Sequence, residues 1–269
     1  MASTCLEMEV DARGVLTIAL NRPDVRNAFN EVLISELSAA FSKRAMQKDV
    51  RVVILRGKGQ VFCAGGDLNW MKRAASLDLE ANFLDTHTLA QLFDQLNEFP
   101  KPVIGAFHGA AIGGGVGLVS ICDYGITSSE TVFSLSEVRL GLVPACIGPF
   151  VISKIGPSHA RSLFISAERF QAQRALEIGL IHELASDALA LDAAVERVVS
   201  NILQAGPNAV TAAKELILNL SWPERRSQIK DPLEYISRML AELRTSPEGQ
   251  EGVRAFLEKR KPTWMDQQK

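Results

Sequence analysis

The sequence lacks the features that mark nucleic-acid-binding and membrane proteins. Its formal net charge is −2 and its isoelectric point about 6.1, so no basic excess indicates a nucleic acid or an anionic membrane surface as partner. No apolar run reaches the roughly 18–20 residues that span a bilayer. The opening MASTCLEMEV has no basic start followed by an apolar core, so we expect neither a signal peptide nor a membrane anchor.

Cysteine and histidine are also scarce, and their spacing excludes the common metal motifs. The four cysteines, at positions 5, 63, 122 and 146, form no CxxC pair, so a zinc site or a redox dithiol is not expected. The four histidines show no HExxH spacing. We therefore expect isolated thiols in a reducing compartment, a cytoplasmic location, and no metal or redox cofactor.

Short apolar segments alternate with a segment of helical periodicity. The segment 30–46 has helical spacing of apolar residues, with Asn30 as a candidate N-cap. Four segments are predicted as strands: VLTIAL (15–20), VRVVILRG (50–57), PVIGAFHG (102–109) and CDYGITS (122–128). This alternation predicts an α/β fold with mainly parallel strands. From about residue 186 the pattern is helical, so we place an α/β body at 1–198 and a helical C-terminal region at 199–269.

Two glycine-rich stretches follow predicted strands and lead into predicted helices. They are GKGQVFCAGGDLNWM (57–71), with Asp67 at or near the cap of the helix that follows, and GAAIGGGVGLVSICD (109–123). A glycine inside a helix costs about 0.5–1 kcal/mol relative to alanine, so this density requires a reason. Free N–H groups at a helix N-terminus carry partial positive charge and can hold an oxyanion. Tight helix packing explains the glycines equally well. The spacings GxGxxG, GxxxxGK[ST] and GxSxG are absent.

Six segments, taken in order, resemble one known family along nearly the whole chain. They are NRPDVRNAFN, VFCAGGDLNWM, KPVIGAFHGAAIGGGVGLVSICDYGI, FSLSEVRLGLVPA, RFQAQRALEIGLIHEL and GQEGVRAFLEKRKPTW. Together they resemble successive blocks of the enoyl-CoA hydratase/isomerase (crotonase) superfamily. The resemblance implies a crotonase-like spiral of repeated ββα units with C-terminal helices that build homotrimers or hexamers. It also implies an acyl-CoA thioester as substrate, so that coenzyme A is part of the substrate rather than a cofactor.

The resemblance also implies roles for individual residues. The backbone N–H groups of Gly66 and Gly114 would hold the thioester oxygen, and Glu137 would be the catalytic carboxylate. Positions that match the coenzyme A contacts of the family are Arg26, Ala28, Ala64, Asp67, Leu68, Phe256 and Lys259. Taken alone, Glu137 is better explained as a turn cap or a partner of Arg139; with the resemblance it becomes the catalytic candidate.

Position 117 departs from the family pattern. Hydratases of the type first described in this family carry one glutamate in GGGxE and another in PExxLG. Here Glu137 in SEVRLG matches the second motif, and Gly117 stands at the first. The resemblance implies that a Δ3,Δ2-enoyl-CoA isomerase can work with this single glutamate as proton shuttle. A hydratase with one glutamate requires that Glu137 transfers both the water proton and the Cα proton, or that the substrate or another acid assists.

The sequence around Glu137 favours the hydratase. It resembles bacterial hydratases of branched or carboxylated enoyl-CoAs, such as methylglutaconyl-CoA and carboxygeranoyl-CoA hydratases. We hypothesise that a substrate carboxylate occupies the space that Gly117 leaves. The isomerase is the first alternative, and a non-catalytic acyl-CoA-binding relative is the second.

Overall fold

The structure, a computed structural model, describes residues 5–45, 47 and 49–268, and in this part of the chain it is a mixed α/β fold. The strands are β1 (Leu6–Val10), β2 (Val15–Leu20), β3 (Val52–Gly57), β4 (Val103–Phe107), β5 (Ala110–Ile112), β6 (Tyr124–Ser128), β7 (Val132–Ser134), β8 (Arg169–Gln171) and β9 (Glu183–Ala185). The helices are α1 (Glu31–Ala45), α2 (Leu68–Ala74), α3 (Leu79–Asn97), α4 (Gly114–Ile121), α5 (Gly148–Ser166), α6 (Ala172–Glu177), α7 (Ala188–Gln204), α8 (Pro207–Ser221), α9 (Pro223–Gln228), α10 (Pro232–Thr245) and α11 (Pro247–Leu257). Short 3-10 helices cover 23–25, 137–140 and 263–268.

The main sheet has six strands in the order β1-β2-β3-β4-β6-β9. Strand β1 is antiparallel to β2, and the other neighbours run parallel. Strands buried on both faces appear in the sequence as continuous apolar runs, and all five residues of β4 are buried. The four predicted strands are therefore confirmed, with ends shifted by a few residues. The helix predicted at 30–46 is confirmed as α1 over Glu31–Ala45, and position 46 lies outside the described residues. The Asn30 side chain accepts a hydrogen bond from the Leu33 N–H at 2.9 Å.

Helices cover both faces of the main sheet. On one face α7 packs its apolar side, including Leu191, Val195 and Val199, against strand residues such as Val52 and Ile104. On the other face α1, α3, α4 and α5 enclose the larger core. The boundary placed at residue 198 lies within α7, so the first helix of the helical stretch packs against the sheet.

A smaller sheet of β5, β7 and β8 lies beside the main sheet and positions the candidate site. In this sheet β5 and β7 run parallel, with Ile112 opposite Ser134. This pairing brings together segments that are about 20 residues apart in the sequence. An isolated parallel bridge joins Cys63 to Ala111 in the same direction. The segments that follow 63, 112 and 134 therefore emerge at the same end of this sheet.

The C-terminal helices are the most exposed part of the described chain. Helices α8, α9 and α10 have no buried residue, and α11 buries only Ala255. Among the described residues, no helix combines the length and the hydropathy needed to cross a bilayer.

Candidate active site

A cavity of about 410 Å³ lies where the three parallel segments end. Its walls are mainly apolar side chains and bare backbone, and Glu137 is the one charged residue among the described residues that line it. The lining residues are Phe29, Ala64, Gly65, Gly66, Leu68, Trp70, Met71, Leu89, Ile112, Gly113, Gly114, Ser136, Glu137, Leu140, Leu142, Val143, Pro144, Ala145, Cys146 and Ile147. An apolar cavity with a few convergent polar groups is the usual form of a small-molecule site.

A second, larger groove of about 690 Å³ lies elsewhere, lined in part by Glu7, Arg56, Lys58 and His108. These side chains already have partners within the protein. Lys58 pairs with Glu7, Arg56 pairs with Asp192, and the His108 ring lies 2.9 Å from the Gly59 carbonyl. This groove contains none of the predicted site residues.

Gly66 and Gly114, the candidate oxyanion donors, both line the smaller cavity. Hydrogen bonds of the neighbouring residues fix the position of Gly66. The Phe29 N–H donates to the Gly65 carbonyl at 2.7 Å, and the Asp67 N–H donates to the Phe29 carbonyl at 2.8 Å. Gly114 is the first residue of α4. Among the described residues, neither the Gly66 N–H nor the Gly114 N–H has an acceptor, so both are free to donate to a ligand.

Gly113 explains why the chain turns sharply before α4. It is the N-cap of this helix, with φ 52° and ψ −117°, a conformation that residues with a Cβ rarely adopt. Its own N–H donates to the Ser134 carbonyl at 2.9 Å. A Cβ at this position would lie 3.0 Å from Glu137 Oε1, so glycine here also leaves room for the carboxylate.

The Glu137 side chain is the candidate acid and base. It begins the 3-10 helix 137–140, just beyond β7, and Oε2 is buried without a hydrogen-bond partner among the described residues. Burial raises the pKa of Glu137, and a hydrogen bond from its own backbone offsets only part of this effect. A carboxylate that is solvated poorly and paired with no cation is suited to exchanging protons near neutrality. Its proposed pairing with Arg139 is not found among the described ion pairs.

The space beside Gly117 is already filled by the protein. A Cβ at this position would lie 2.3 Å from Ile147 Cγ2 and 2.8 Å from Phe93 Cε1. The hypothesis that a substrate carboxylate occupies this space is therefore wrong. The close packing of α4 against these two side chains explains Gly117. Within the same glycine-rich stretch, tight packing therefore accounts for Gly117 and a free N–H group accounts for Gly114.

The predicted coenzyme A contacts near the cavity differ in accessibility. Ala64 and Leu68 line the cavity, and Leu68 is 74% exposed at its rim. Arg26 is exposed, and its carbonyl accepts the Ala64 N–H at 3.0 Å, whereas Ala28 is buried. Contacts of these four residues with coenzyme A stay predictions.

The Asp67 side chain is directed into the protein. One carboxylate oxygen accepts the N–H groups of Asn69 and Trp70 at the start of α2, and the other pairs with Arg22 at 2.9 Å. Burial alone would raise the pKa of Asp67, but the hydrogen bonds from these partners lower it. The sequence prediction of a cap at this position is confirmed, and a backbone contact with coenzyme A stays a prediction.

Phe256 and Lys259 lie outside the cavity. Phe256, at the end of α11, is 83% exposed, and Lys259 follows in a left-handed conformation with φ 56°. Neither is among the lining residues. Their contact with coenzyme A also stays a prediction.

Several walls of the cavity were not expected from the sequence. Trp70 and Met71 come from α2, Leu89 from α3, and Ile147 from the turn before α5. Cys146 also lines the cavity, and its thiol donates to the Thr86 carbonyl at 3.6 Å. Burial raises the pKa of Cys146, which leaves the thiol protonated and a poor nucleophile.

The comparisons with known proteins identify the family of this chain. The family model described as Enoyl-CoA hydratase/isomerase matches residues 11–267. The 2,3-dehydroadipyl-CoA hydratase of Escherichia coli is 33% identical, over 92% of this chain and 94% of its own length. The trans-2-decenoyl-[acyl-carrier-protein] isomerase of Streptococcus mutans is 30% identical, over 93% and 94%.

Solved structures support the same assignment for the fold. The crystal structure of an enoyl-CoA hydratase from Shewanella pealeana superposes with a TM-score of 0.91 at 39% identity, covering 97% of this chain and 96% of that one. The crotonase-like fold is thus confirmed, and the chain belongs to the enoyl-CoA hydratase/isomerase family of enzymes.

Proposed function

We propose that this protein adds water to the double bond of a 2-enoyl-CoA thioester. The observation that carries the proposal is the presence in one apolar cavity of two N–H groups, of Gly66 and Gly114, and one carboxylate, of Glu137; among the described residues the N–H groups have no acceptor and Glu137 Oε2 has no hydrogen-bond partner. The N–H groups suit a thioester oxygen that gains negative charge during the reaction. The carboxylate suits proton transfer next to that oxygen.

One carboxylate is sufficient for the proton transfers of hydration. Glu137 accepts a proton from water while the hydroxide adds to Cβ. The electrons of the double bond move onto the thioester oxygen, and the N–H groups of Gly66 and Gly114 stabilise the resulting enolate. Glu137 then returns the proton to Cα, the carbonyl re-forms, and the net change is the addition of one water. Such N–H groups accelerate the step because their bonds strengthen as the charge develops.

The cavity favours an uncharged acyl group over a carboxylated one. Glu137 supplies a negative charge, and no described lining residue supplies a positive one. A substrate carboxylate would be desolvated beside a like charge, which is costly. This argument opposes the preference for carboxylated substrates drawn from the sequence. The name of the E. coli relative specifies a dehydroadipyl group, so the carboxylated class is the alternative for the test.

Isomerisation of a 3-enoyl-CoA is the second candidate. The packing of Ile147 and Phe93 against Gly117 leaves no room there for a second carboxylate. Glu137 would remove a proton from Cα and return it to Cγ, with the same enolate between the two steps. This reaction needs no water in the cavity.

Exposed apolar side chains on the C-terminal helices support a homotrimer or hexamer. Ile217, Leu233, Val253 and Phe256 are each more than half exposed, and surfaces of this kind usually mark an interface. Light scattering of the purified protein, coupled to size-exclusion chromatography, tests this. A monomeric mass would contradict it.

Mass spectrometry and chromatography of reaction mixtures test the activity. The thioesters are 2-pentenoyl-CoA, glutaconyl-CoA, which carries a carboxylate in place of the terminal methyl, and 3-pentenoyl-CoA. We expect 2-pentenoyl-CoA to gain one water, with kcat/KM at least about tenfold above that of glutaconyl-CoA. Faster hydration of glutaconyl-CoA would assign the carboxylated class. Conversion of 3-pentenoyl-CoA to the 2-isomer without hydration would assign the isomerase. The Glu137→Gln variant is the control.

A further inference from the structure

Arg22 is a nearly buried cation directly behind the cavity wall, and the proposed mechanism does not use it. Its side chain is 16% exposed. One guanidinium nitrogen lies 2.9 Å from Asp67 Oδ2, and another donates to the Ala28 carbonyl. Arg22 does not line the cavity, so it does not touch a ligand there.

The two acceptors of Arg22 belong to the two backbone segments that position the Gly66 N–H. Asp67 follows Gly66 in the chain, and Ala28 precedes Phe29. Phe29 binds the Gly65 carbonyl through its N–H and the Asp67 N–H through its carbonyl. The guanidinium therefore joins the same two segments that this backbone pairing joins. Its acceptor Asp67 is the residue next to Gly66, which carries the N–H donor.

The base of Arg22 is fixed as well. Its backbone N–H donates to Asn27 Oδ1 at 2.8 Å. Asn27 is fully buried in a left-handed conformation with φ 55°, and its side-chain amide donates to the carbonyls of Lys58 and Val61. The backbone of Arg22 is thus held in place. Because the guanidinium is planar and rigid, it loses little further conformational freedom when it binds its two acceptors, the Asp67 carboxylate and the Ala28 carbonyl.

The wall of the cavity depends on the same contact. Asp67 Oδ1 caps α2, which supplies Trp70 and Met71 to the lining, while Oδ2 binds Arg22. Loss of Arg22 leaves a buried carboxylate and a carbonyl without their cation, so the segment 65–67 has to move to regain partners.

We propose that Arg22 is a positioning residue that holds the Gly66 N–H at the oxyanion distance. This inference rests on the proposed function and specifies how one of its two donors is kept in place. A donor must lie about 2.7–3.1 Å from the developing oxyanion, and a displacement of about 1 Å costs on the order of 10²-fold in rate. Arg22 therefore acts on the transition state more than on the binding of coenzyme A.

The test compares Arg22→Met with Arg56→Met. Arg56 forms the same type of pair, with Asp192 at 3.0 Å, but it lies on the other groove and its side chain is 39% exposed. We expect Arg22→Met to lower kcat for 2-pentenoyl-CoA about 10- to 100-fold, with a larger fold-change in kcat than in KM, since Arg22 does not line the cavity. Arg56→Met keeps the wild-type kcat. Arg22→Lys retains a charge beside Asp67 and is the second variant if Arg22→Met does not fold.

Infrared spectroscopy of bound pentanoyl-CoA, labelled with ¹³C at the thioester carbonyl, reads the donor directly. Hydrogen bonds to this carbonyl lower its stretching frequency, so the wild type lowers it and Arg22→Met returns it towards the free value. Hydrogen exchange of peptides covering 63–71 becomes faster in that variant and not in Arg56→Met. An unchanged frequency and kcat in Arg22→Met would overturn the role of Arg22 alone. No lowering in the wild type would overturn the oxyanion site, and the inference with it.

Discussion

Gly66 and Gly114 occupy equivalent positions on two parallel backbone segments. Each lies three residues beyond the bridge that joins Cys63 to Ala111. Because both segments run in the same direction and continue into helices, their N–H groups emerge at the same end of the small sheet. Strand β7 adds a third parallel segment and delivers Glu137 to that end. The parallel pairing alone therefore assembles the two donors and the carboxylate.

Replacement of Glu137 by glutamine should abolish most of the activity without harming the fold. Loss of a general acid and base typically costs about 10²–10⁴-fold, so we expect kcat for hydration to fall within this range. The raised pKa means that the ionised carboxylate destabilises the folded protein at neutral pH. Glutamine removes this charge, and the melting temperature at pH 7 should be unchanged or higher. Activity close to that of the wild type would exclude Glu137 as the catalytic carboxylate.

The pH profile should report the raised pKa of Glu137. The first step requires the ionised carboxylate, so kcat/KM falls as the pH decreases through this pKa, which lies above the ordinary value of 4.5. The linked stability has the opposite sign: it is fully present below the unfolded pKa and is lost as the pH rises through the folded one. Rates and urea unfolding measured from pH 4 to 8 check both. The residual activity and the stability of Glu137→Gln should lack these transitions.

Alanine substitutions at the two donor glycines should differ in their effects. A Cβ at Gly66 would meet Met71 atoms at 3.4 Å, an ordinary contact, whereas a Cβ at Gly114 would meet Phe29 Cε2 at 3.0 Å. Gly66→Ala should keep kcat within about threefold. Gly114→Ala forces the aromatic ring or the donor to shift, so we expect a loss of about 10- to 100-fold in kcat. Steady-state kinetics of the matched pair measure this, and equal effects would contradict the packing argument.

Some parts of the fold and of the candidate site can be predicted from local sequence patterns, and others cannot. The strand at 15–20, the Asn30 cap and the Asp67 cap follow from local patterns, because their signals lie within a few residues. The two glycines and Glu137 were found through their motifs, and their convergence depends on parallel pairings between segments about 50 and 20 residues apart, which no local pattern contains.

The walls of the cavity could not be found in this way. Ile147 and Leu89 are ordinary apolar residues in the sequence, and only the packing of α3 and α5 against α4 brings them to the site. The same limit produced the wrong hypothesis about Gly117. A glycine can mark empty space or close contact, and the two cases differ only in what lies opposite.

Gly117 provides a direct test of that close contact. Gly117→Ala places a Cβ 2.3 Å from Ile147 Cγ2, so overpacking should lower the free energy of unfolding by about 1–3 kcal/mol despite the better helix propensity of alanine. The matched control is Gly148→Ala in α5, where the nearest atom, Phe164 Cε2, would be 3.8 Å away; it should cost less than about 0.5 kcal/mol. Adding Ile147→Ala removes the opposing methyl group, so the double variant should be more stable than the sum of the single effects predicts. Urea unfolding of the four variants measures this coupling, and strict additivity would show that Ile147 does not close the space beside α4.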